Sequence, residues 1–132
     1  MQRHPSIYFA DSPVHGRGVF TAGDISDGDI IEICPALILP RAEFDTIHHS
    51  WLHDYYFLWG EDQKQLAIVL GFGSLYNHSY HPNACFQIDY DDDTIEIIAL
   101  RDIQAGEEIT FHYHGEPGDE SPVWFDDPDY KR

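Results

Sequence analysis

The sequence is poor in basic residues. Its 132 residues contain 7 Lys and Arg against 24 Asp and Glu, which gives a formal net charge of −17. A protein that binds nucleic acid must neutralise phosphates, so this balance argues against that class of partner. It suits a basic protein as partner, because a negative field raises the local concentration of cations. Solubility alone would also explain the charge, and composition leaves that alternative open.

Cysteine is scarce as well. The chain has two cysteines, Cys34 and Cys85, and they lie too far apart to form a metal-ligand spacing. We therefore expect a reducing compartment, with both thiols as core residues. Nine histidines raise the question of a metal, with His48, His49 and His53 as one group. No cysteine or carboxylate completes a recognisable ligand set, so we predict no metal site.

Long apolar runs are missing. The longest, from Ile30 to Leu39, is interrupted by Glu32 and Pro35, and none approaches the length of a membrane span. The residues from Met1 to Pro5 lack the apolar core of a signal peptide. At this length we expect one domain that buries a core of its own. The predicted protein is soluble and intracellular and makes no membrane contact, with nucleus or cytoplasm left open.

Short strand-like runs are what the sequence contains in abundance. Apolar and polar residues alternate from Ala84 to Tyr90, and a run from Thr94 to Leu100 follows three aspartates, which predicts a hairpin. The Asp27-Gly28 pair predicts another hairpin turn. Steps of three and four residues between large side chains predict one short helix over 41–51. These patterns together predict a mainly β protein with a single short helix.

The most specialised stretch covers residues 71–84. It follows an apolar strand-like run, Leu66 to Leu70, and precedes the predicted hairpin. It contains two glycines, two asparagines, two histidines and a proline, which is more polar than a simple connection requires. By itself this stretch fits either a surface turn ending in an X-Pro step or a functional loop.

Three motifs in order and spacing decide between these alternatives. They are Gly16-Arg17-Gly18-Val19-Phe20, Leu75-Tyr76-Asn77-His78-Ser79 with Pro82-Asn83, and Gly106-Glu107-Glu108-Ile109-Thr110-Phe111-His112-Tyr113. Each alone is weak, but on an all-strand background the three together resemble the SET-domain family of protein lysine methyltransferases. The chain looks most like the minimal, viral-type members, which lack cysteine-rich flanking regions.

The resemblance implies a fold and a division of the chain. The fold is a mainly β, β-clip-like SET domain of several short curled sheets, with one short helix and a C-terminal pseudoknot. In that pseudoknot the last strand meets the loop at residues 71–84. We expect a SET core over residues 1–115. We expect residues 116–132 to form an acidic, aromatic tail that packs near the cofactor site.

The resemblance also implies the reaction and its residues. The cofactor is S-adenosylmethionine, and Tyr113 is the catalytic residue that orients the methyl group and the lysine nitrogen. Tyr55 and Phe111 are expected to bind the substrate lysine. The cofactor-binding residues carried over from the motifs are Gly16, Arg17, Gly18, Asn77, His78 and, in the tail, Trp124.

Departures from the family pattern narrow the prediction. Tyr80 stands where many relatives have a zinc-binding cysteine, and no cysteine follows Cys85, so a zinc-built lid is excluded. We predict a lysine methyltransferase acting on a basic protein such as a histone tail. Phe111 favours di- or trimethyl-lysine, because a tyrosine there would crowd a methylated nitrogen. The alternative is a non-catalytic acidic module that binds basic proteins or mimics nucleic acid. A homodimer is left open.

Overall fold

A computed structural model describes residues 2–113 of the chain. Within these residues the chain forms nine strands and one short α-helix, α1 (Phe44–His48). The strands are β1 (Ile7–Asp11), β2 (Arg17–Thr21), β3 (Ile30–Leu39), β4 (Tyr56–Trp59), β5 (Gln65–Val69), β6 (Asn77–His78), β7 (Ala84–Asp89), β8 (Thr94–Ala99) and β9 (Glu108–Phe111). The tail at 116–132, with Trp124, lies outside the described residues.

The strands form two sheets. The first has four strands in the order β1-β2-β9-β6, and the second has five in the order β4-β5-β3-β8-β7. Buried apolar residues from both sheets form one core cluster. In β8 the buried residues are Ile95, Ile97 and Ala99, which is the period-two pattern of a strand with one face in the core. The mainly β prediction is confirmed.

The predicted β7–β8 hairpin is present. Its register runs from Ala84 opposite Ala99 to Asp89 opposite Thr94. Asp93 in the turn has a φ of 54°, a left-handed conformation that aspartate tolerates better than most residues.

β3 is one strand of ten residues that passes through Pro35. From Ile30 to Pro35 it pairs with β8, and from Ala36 to Leu39 it pairs with β5. Pro35 has no N–H to donate, but its carbonyl accepts a hydrogen bond from Leu70 N at 2.9 Å. The proline is tolerated because it lies where the strand changes partners.

The Asp27-Gly28 turn is real, but the prediction that it closes a hairpin is wrong. Gly28 has a φ of 84° and so adopts the turn conformation that glycine allows. The strands on either side, β2 and β3, belong to different sheets. Gly28 N instead donates to Ala99 O at 2.9 Å. The turn therefore carries the chain from one sheet to the other.

Two connections with the same Asp-Ile-x-x-Gly pattern pair with each other. Ile25 and Ile103 exchange both backbone hydrogen bonds, each at 2.8 Å. Asp102 Oδ1 accepts from Asp27 N at 2.8 Å, and Asp24 Oδ1 accepts from Ala105 N at 3.0 Å. Each aspartate thus satisfies a backbone donor in the other connection. The sequence repeat therefore corresponds to a reciprocal contact between the segment before β3 and the segment before β9.

The predicted helix over 41–51 is broken into shorter pieces. A 3-10 turn at Arg41–Glu43 precedes α1, and a second 3-10 turn, Trp51–Asp54, follows it. Ser50 begins this second turn, where its Oγ accepts from Leu52 N at 3.1 Å. The strand β4 consequently starts at Tyr56, and Asp54 and Tyr55 lie before it.

The short strand β6 brings distant parts of the chain together. Asn77 pairs with Thr110 and His78 pairs with Phe111, in parallel, on β9. Ser79 N extends the pairing by donating to Phe111 O at 3.2 Å. The loop at residues 71–84, called the central loop below, therefore meets the last strand, β9, as the resemblance implied. Among the residues described, no helix is long and apolar enough to span a bilayer.

Candidate active site

Two cavities meet at one wall. The larger cavity, of about 570 Å³, is lined by residues of the Gly16–Arg17 turn and of the central loop. The narrower cavity, of about 370 Å³, is lined mainly by aromatic and apolar side chains. Four residues line both cavities: Asp54, Tyr55, Ser74 and Tyr113. A group on this wall contacts both cavities, which is the arrangement needed to join two reactants.

Tyr113 is held in the wall from two sides. Its hydroxyl donates to the carbonyl oxygen of Tyr76 at 2.9 Å. Its backbone N–H donates to Nδ1 of His78 at 3.1 Å. Because the phenol proton is directed to Tyr76, the Tyr113 oxygen can act toward a ligand only as an acceptor. The geometry fixes a neutral phenol at the junction of the cavities.

His78 supports Tyr113 from behind the cavities. It is buried and lines neither cavity. Because a backbone N–H can only donate, Nδ1 carries the lone pair, and the ring proton of a neutral His78 is on Nε2. The ring also packs edge-on against Tyr113, with centroids 5.2 Å apart. Its side chain therefore positions Tyr113, and the cofactor contact expected of His78 stays a prediction.

Asn77 fastens three segments to one another. Its Nδ2 donates to the carbonyls of His15, at 3.1 Å, and Arg17, at 3.2 Å, and to Glu108 Oε2 at 2.8 Å. Asn77 is buried but still lines the larger cavity. No donor within residues 2–113 bonds its Oδ1, so this acceptor can serve a ligand.

Gly18 has a packing role. A Cβ at this position would clash with the Glu108 carboxylate and would lie 2.9 Å from Asn77 Nδ2. Gly18 lines neither cavity, and the cofactor contact expected of it stays a prediction. Glycine is needed here because the Asn77–Glu108 hydrogen bond passes directly over its Cα.

Gly16, Arg17 and Tyr55, three residues carried over from the resemblance, line the cavities. Gly16, with a φ of 51°, and Arg17 both line the larger cavity. The Arg17 guanidinium lies 5.7 Å from the centroid of the Phe9 ring, which helps to hold an otherwise exposed side chain. Tyr55 is 43% exposed and lines both cavities.

Phe111 does not lie in the narrower cavity. Its side chain is fully buried and is absent from the lining of both cavities. Its ring packs 5.0 Å from Phe86 and 5.4 Å from Tyr76, two residues that do line the narrower cavity. The ring thus lies behind this wall, and the expected contact of Phe111 with the substrate lysine stays a prediction. Phe111 and Tyr113 do pack together, with ring centroids 5.9 Å apart.

The narrower cavity has an aromatic and histidine-rich lining. His48 Nδ1 lies 2.9 Å from the Tyr56 hydroxyl. Burial, followed by His53 and His49 nearby, lowers the pKa of His48, which therefore favours the neutral ring. Burial also raises the pKa of Tyr56, and Asp54 adds to the rise, so Tyr56 stays protonated. Within residues 2–113 no cluster of His, Cys, Asp or Glu has the geometry of a metal site.

Two buried polar residues important to the site were given no role from the sequence. Asn83 Nδ2 donates to Glu108 O at 2.8 Å, and Asn83 Oδ1 accepts from Thr110 N at 2.9 Å, so it aligns β9. Glu32 accepts from the Tyr76 hydroxyl at 2.9 Å. The sequence could have indicated a role for Glu32, because a lone carboxylate in an apolar strand must have hydrogen-bond partners. No local sequence pattern indicated a role for Asn83 beyond its place after Pro82.

The family model comparison matches residues 16–114 to the SET domain. The chain belongs to the SET-domain family. Membership confirms the predicted fold and the predicted enzyme class, a protein lysine methyltransferase that uses S-adenosylmethionine. The narrower likeness to minimal viral-type members stays a prediction.

Two relatives carry histone-lysine methyltransferase names. The chain is 35% identical over 118 residues to a Schizosaccharomyces pombe histone-lysine N-methyltransferase specific for H3 lysine 37, covering 89% of this chain and 75% of that protein. It is 33% identical over 125 residues to the Drosophila melanogaster histone-lysine N-methyltransferase trr, covering 88% of this chain but 5% of that protein. The first alignment thus spans most of both sequences.

Solved structures agree on the fold. A candidate histone methyltransferase from Plasmodium falciparum has a TM-score of 0.64 at 28% identity, covering 95% of this chain and 99% of that one. Polycomb Repressive Complex 2 of Chaetomium thermophilum, bound to S-adenosylmethionine, has a TM-score of 0.71 at 23% identity, covering 86% of this chain and 15% of that one. At that lower identity the second match supports the fold alone.

Proposed function

We propose that this enzyme methylates a lysine in the tail of histone H3, with Tyr113 at the reacting centre. One observation carries the assignment of the site: the larger and narrower cavities share a wall that contains Tyr113. A methyl donor in one cavity and a lysine in the other would meet there. The cofactor supplies a methyl group activated on a sulfonium.

The residues of the larger cavity fit this cofactor. Its volume of about 570 Å³ is within the range of small-molecule sites. S-adenosylmethionine carries a carboxylate and an ammonium at its amino-acid end. Arg17 would bind the carboxylate, and Asp11 and the Oδ1 of Asn77 are the acceptors for the ammonium. Gly16, without a side chain, leaves its backbone open to a closely packed ligand.

The narrower cavity suits the aliphatic stem of a lysine. Its lining includes Phe57, Phe86 and Ile88, whose apolar surfaces exclude water from an inserted side chain. Desolvation lowers the pKa of an amine, and the reaction requires the neutral amine. Asp54 and Tyr55, at the wall shared with the larger cavity, would first attract and then align the nitrogen. The channel therefore both admits the lysine and prepares it for attack.

Tyr113 aligns the reactants at the wall. Its hydroxyl proton is committed to Tyr76 O at 2.9 Å, so its oxygen acts as an acceptor toward the cavities. An acceptor there would orient the N–H groups of the amine and direct its lone pair at the methyl carbon. Such orientation supplies much of the acceleration in an in-line transfer. Tyr113 keeps its own proton throughout, and solvent takes the proton lost by the lysine.

The substrate assignment rests on charge and on relatives. A net charge of −17 favours a basic partner such as a histone tail. The S. pombe relative is named for H3 lysine 37, which makes that lysine the first candidate. We propose di- or trimethyl-lysine as the product, because the position two residues before Tyr113 is phenylalanine. An intracellular location follows from a histone substrate, with nucleus or cytoplasm undecided.

Three parts of the proposal concern the rest of the chain. We propose a catalytic core at residues 1–115 and a tail at 116–132 that packs near the cofactor with Trp124. Deleting 116–132, or changing Trp124→Ala, should then raise the Kd for S-adenosylmethionine. A homodimer stays a prediction that sedimentation would test.

The deciding experiment uses recombinant H3 and an H3 variant in which arginine replaces the candidate lysine. The enzyme is incubated with labelled S-adenosylmethionine, and the products are mapped by mass spectrometry. Label at the candidate lysine that disappears in the variant supports the full proposal. Label at another lysine retains the enzyme class and corrects the target. Calorimetry showing no binding of S-adenosylmethionine at millimolar concentration would favour the acidic binding module instead.

A further inference from the structure

A buried carboxylate is linked to the proposed catalytic tyrosine, Tyr113, through one intervening residue, Tyr76. Glu32, the third residue of β3, is 2% exposed. Its Oε1 accepts from the Tyr76 hydroxyl at 2.9 Å, and its Oε2 accepts from Phe72 N at 3.1 Å. Oε2 also accepts from Arg3 Nε at 3.1 Å. A buried charge persists only with such partners, so the carboxylate depends on all of these contacts.

Arg3 reaches Glu32 because the N-terminal segment completes the sheet. His4 N donates to Ile31 O at 2.7 Å, and Ile33 N donates to Gln2 O at 2.7 Å. These bonds place Arg3 directly opposite Glu32 in an antiparallel bridge. β5 pairs with β3 only from Ala36 onward, so the segment occupies the edge that β5 leaves open.

The loop before β6 is fitted closely around this ion pair. The Arg3 guanidinium lies 4.2 Å from the centroid of the Phe72 ring. Gly71 has a φ of 65°, and a Cβ there would lie 2.5 Å from Glu32 Oε2 and 3.1 Å from Arg3 Nη2. The loop is therefore held at Phe72 and again at Tyr76 by the same carboxylate.

Tyr76 carries this support to the reacting wall. Its side chain is 1% exposed, and its phenol stays protonated because burial, and then Glu32, raise its pKa well above the usual value. Its hydroxyl anchors it to Glu32, while its carbonyl accepts the Tyr113 hydroxyl at 2.9 Å. The position of the Tyr113 oxygen therefore depends on where Glu32 holds Tyr76. The next residue, Asn77, lines the larger cavity.

We propose that Arg3, Glu32 and the Tyr76 hydroxyl form a positioning chain that sets the location of the Tyr113 oxygen. Glu32 is a positioning residue: it lines neither cavity and acts through Tyr76. The N-terminal segment is accordingly part of the catalytic apparatus, although it lies on the far side of the loop. This inference rests on the proposed role of Tyr113 in methyl transfer.

The test compares Arg3→Met and Tyr76→Phe with the wild-type chain. Misplacement of a reacting group by a fraction of an ångström lowers turnover sharply, and we expect each variant to lose about tenfold in kcat. The KM values for cofactor and peptide should change less than about twofold, because the cavity linings are retained. Arg3→Lys, which keeps the charge but not the paired donors, should recover part of the loss.

Arg101→Met is the matched control. The Arg101–Glu107 pair, at 3.2 Å, is a second ion pair within residues 2–113, and it is exposed. This variant should leave kcat unchanged. All rates are measured well below each Tm, so that unfolding does not contribute. Arg3→Met and Tyr76→Phe with wild-type kcat, whatever their Tm, would overturn the positioning chain.

A readout without turnover separates this inference from the proposed function. In Arg3→Met, the amide hydrogen of Tyr113 and the amides of residues 72–78 should exchange faster with solvent than in the wild type. If the wild-type chain transfers no methyl group, the proposed function fails while this exchange experiment still tests the chain of contacts. Unchanged exchange at Tyr113 would overturn the inference even in an active enzyme.

Discussion

The Tyr113 hydroxyl donates to the backbone carbonyl of Tyr76 at 2.9 Å, across a separation of 37 residues in sequence. The parallel pairing of β6 with β9, with His78 opposite Phe111, brings the segment that carries Tyr113 next to the loop that carries Tyr76. A backbone acceptor cannot change rotamer, so it fixes the phenol more firmly than a flexible side chain would. The proposed catalytic group is thus held by the fold itself.

Tyr113→Phe should abolish most turnover while leaving the fold intact. The substitution keeps the ring, which packs against Phe111 and His78, and removes one oriented oxygen. Loss of a positioned electrostatic contact typically lowers the rate by about 10²–10³. The measurements are kcat by mass spectrometry and Tm by calorimetry. Near-normal turnover in a folded variant would show that Tyr113 has been assigned wrongly.

Asn77→Ala should weaken both the fold and the cofactor site. It removes the donor shared by two carbonyls and the Glu108 carboxylate, and an unsatisfied buried group costs about 1–3 kcal/mol. Asn83→Ala is the matched control, because Asn83 is also buried and hydrogen-bonded but lines neither cavity. We expect both variants to lower Tm and only Asn77→Ala to raise the Kd for S-adenosylmethionine. Equal affinities would remove Asn77 from the cofactor site.

Gly18→Ala should reproduce part of the Asn77 defect without touching the asparagine. The new methyl group would clash with the Glu108 carboxylate and displace it from Asn77. Overpacking of this kind costs about 1–3 kcal/mol. Gly16→Ala is the comparison, since no atom lies within 4 Å of a Cβ there and the cost comes from its φ of 51° alone. Urea denaturation of both variants measures the difference, and a wild-type midpoint for Gly18→Ala would contradict the packing role.

Phe111→Tyr should shift the product toward monomethyl-lysine. The ring lies behind the channel wall, so the added hydroxyl must push between Phe86 and Tyr76 and narrow the space for a methylated nitrogen. The first methyl transfer should be little affected. A mass-spectrometric time course on a peptide measures the products. Phe20→Tyr is the control, because Phe20 stacks on Tyr8 and lines neither cavity. An unchanged series of products would contradict the proposal for Phe111.

His48 should make the free energy of unfolding depend on pH. Burial and the neighbouring His53 and His49 lower its pKa in the folded state, below the value of about 6.5 for an exposed histidine. The unfolded chain then binds the proton more readily, so stability present above pH 6.5 is lost as the pH falls through about 6.5 toward the folded pKa. His48→Gln should make the free energy of unfolding depend less on pH, as measured by urea titrations at a series of pH values. An unchanged pH dependence in His48→Gln would contradict this prediction.

Local patterns could not separate residues that line the cavities from residues that support them. Of the predicted site residues, Gly16, Arg17, Tyr55, Asn77 and Tyr113 line a cavity. Gly18, His78 and Phe111 line neither cavity. A sequence shows which residue types occur together, whereas the direction of each side chain depends on which strand it pairs with.

Secondary structure was predictable where one face of a strand is buried. Alternating residues from Ala84 to Tyr90 specified the β7–β8 hairpin, because period two is a property of the strand alone. The Asp27-Gly28 pair led to the wrong prediction of a hairpin, because a turn signal specifies a local bend and not the partner of the following strand. The helix predicted over 41–51 is divided into α1 and two 3-10 turns. Ser50 begins the second turn because its hydroxyl accepts from the backbone N–H of Leu52.

Sequence by itself determined the family, the β class, the acidic composition and the residue types of the site, since these follow from composition and local order. Tertiary structure alone decided the register of β6 on β9, the wall at Tyr113 that two cavities share, and the contact of Glu32 with Tyr76. The reason is physical: these contacts join residues far apart in sequence, 44 positions in the case of Glu32 and Tyr76. Such pairings are chosen by the packing of the whole core, which no local pattern encodes.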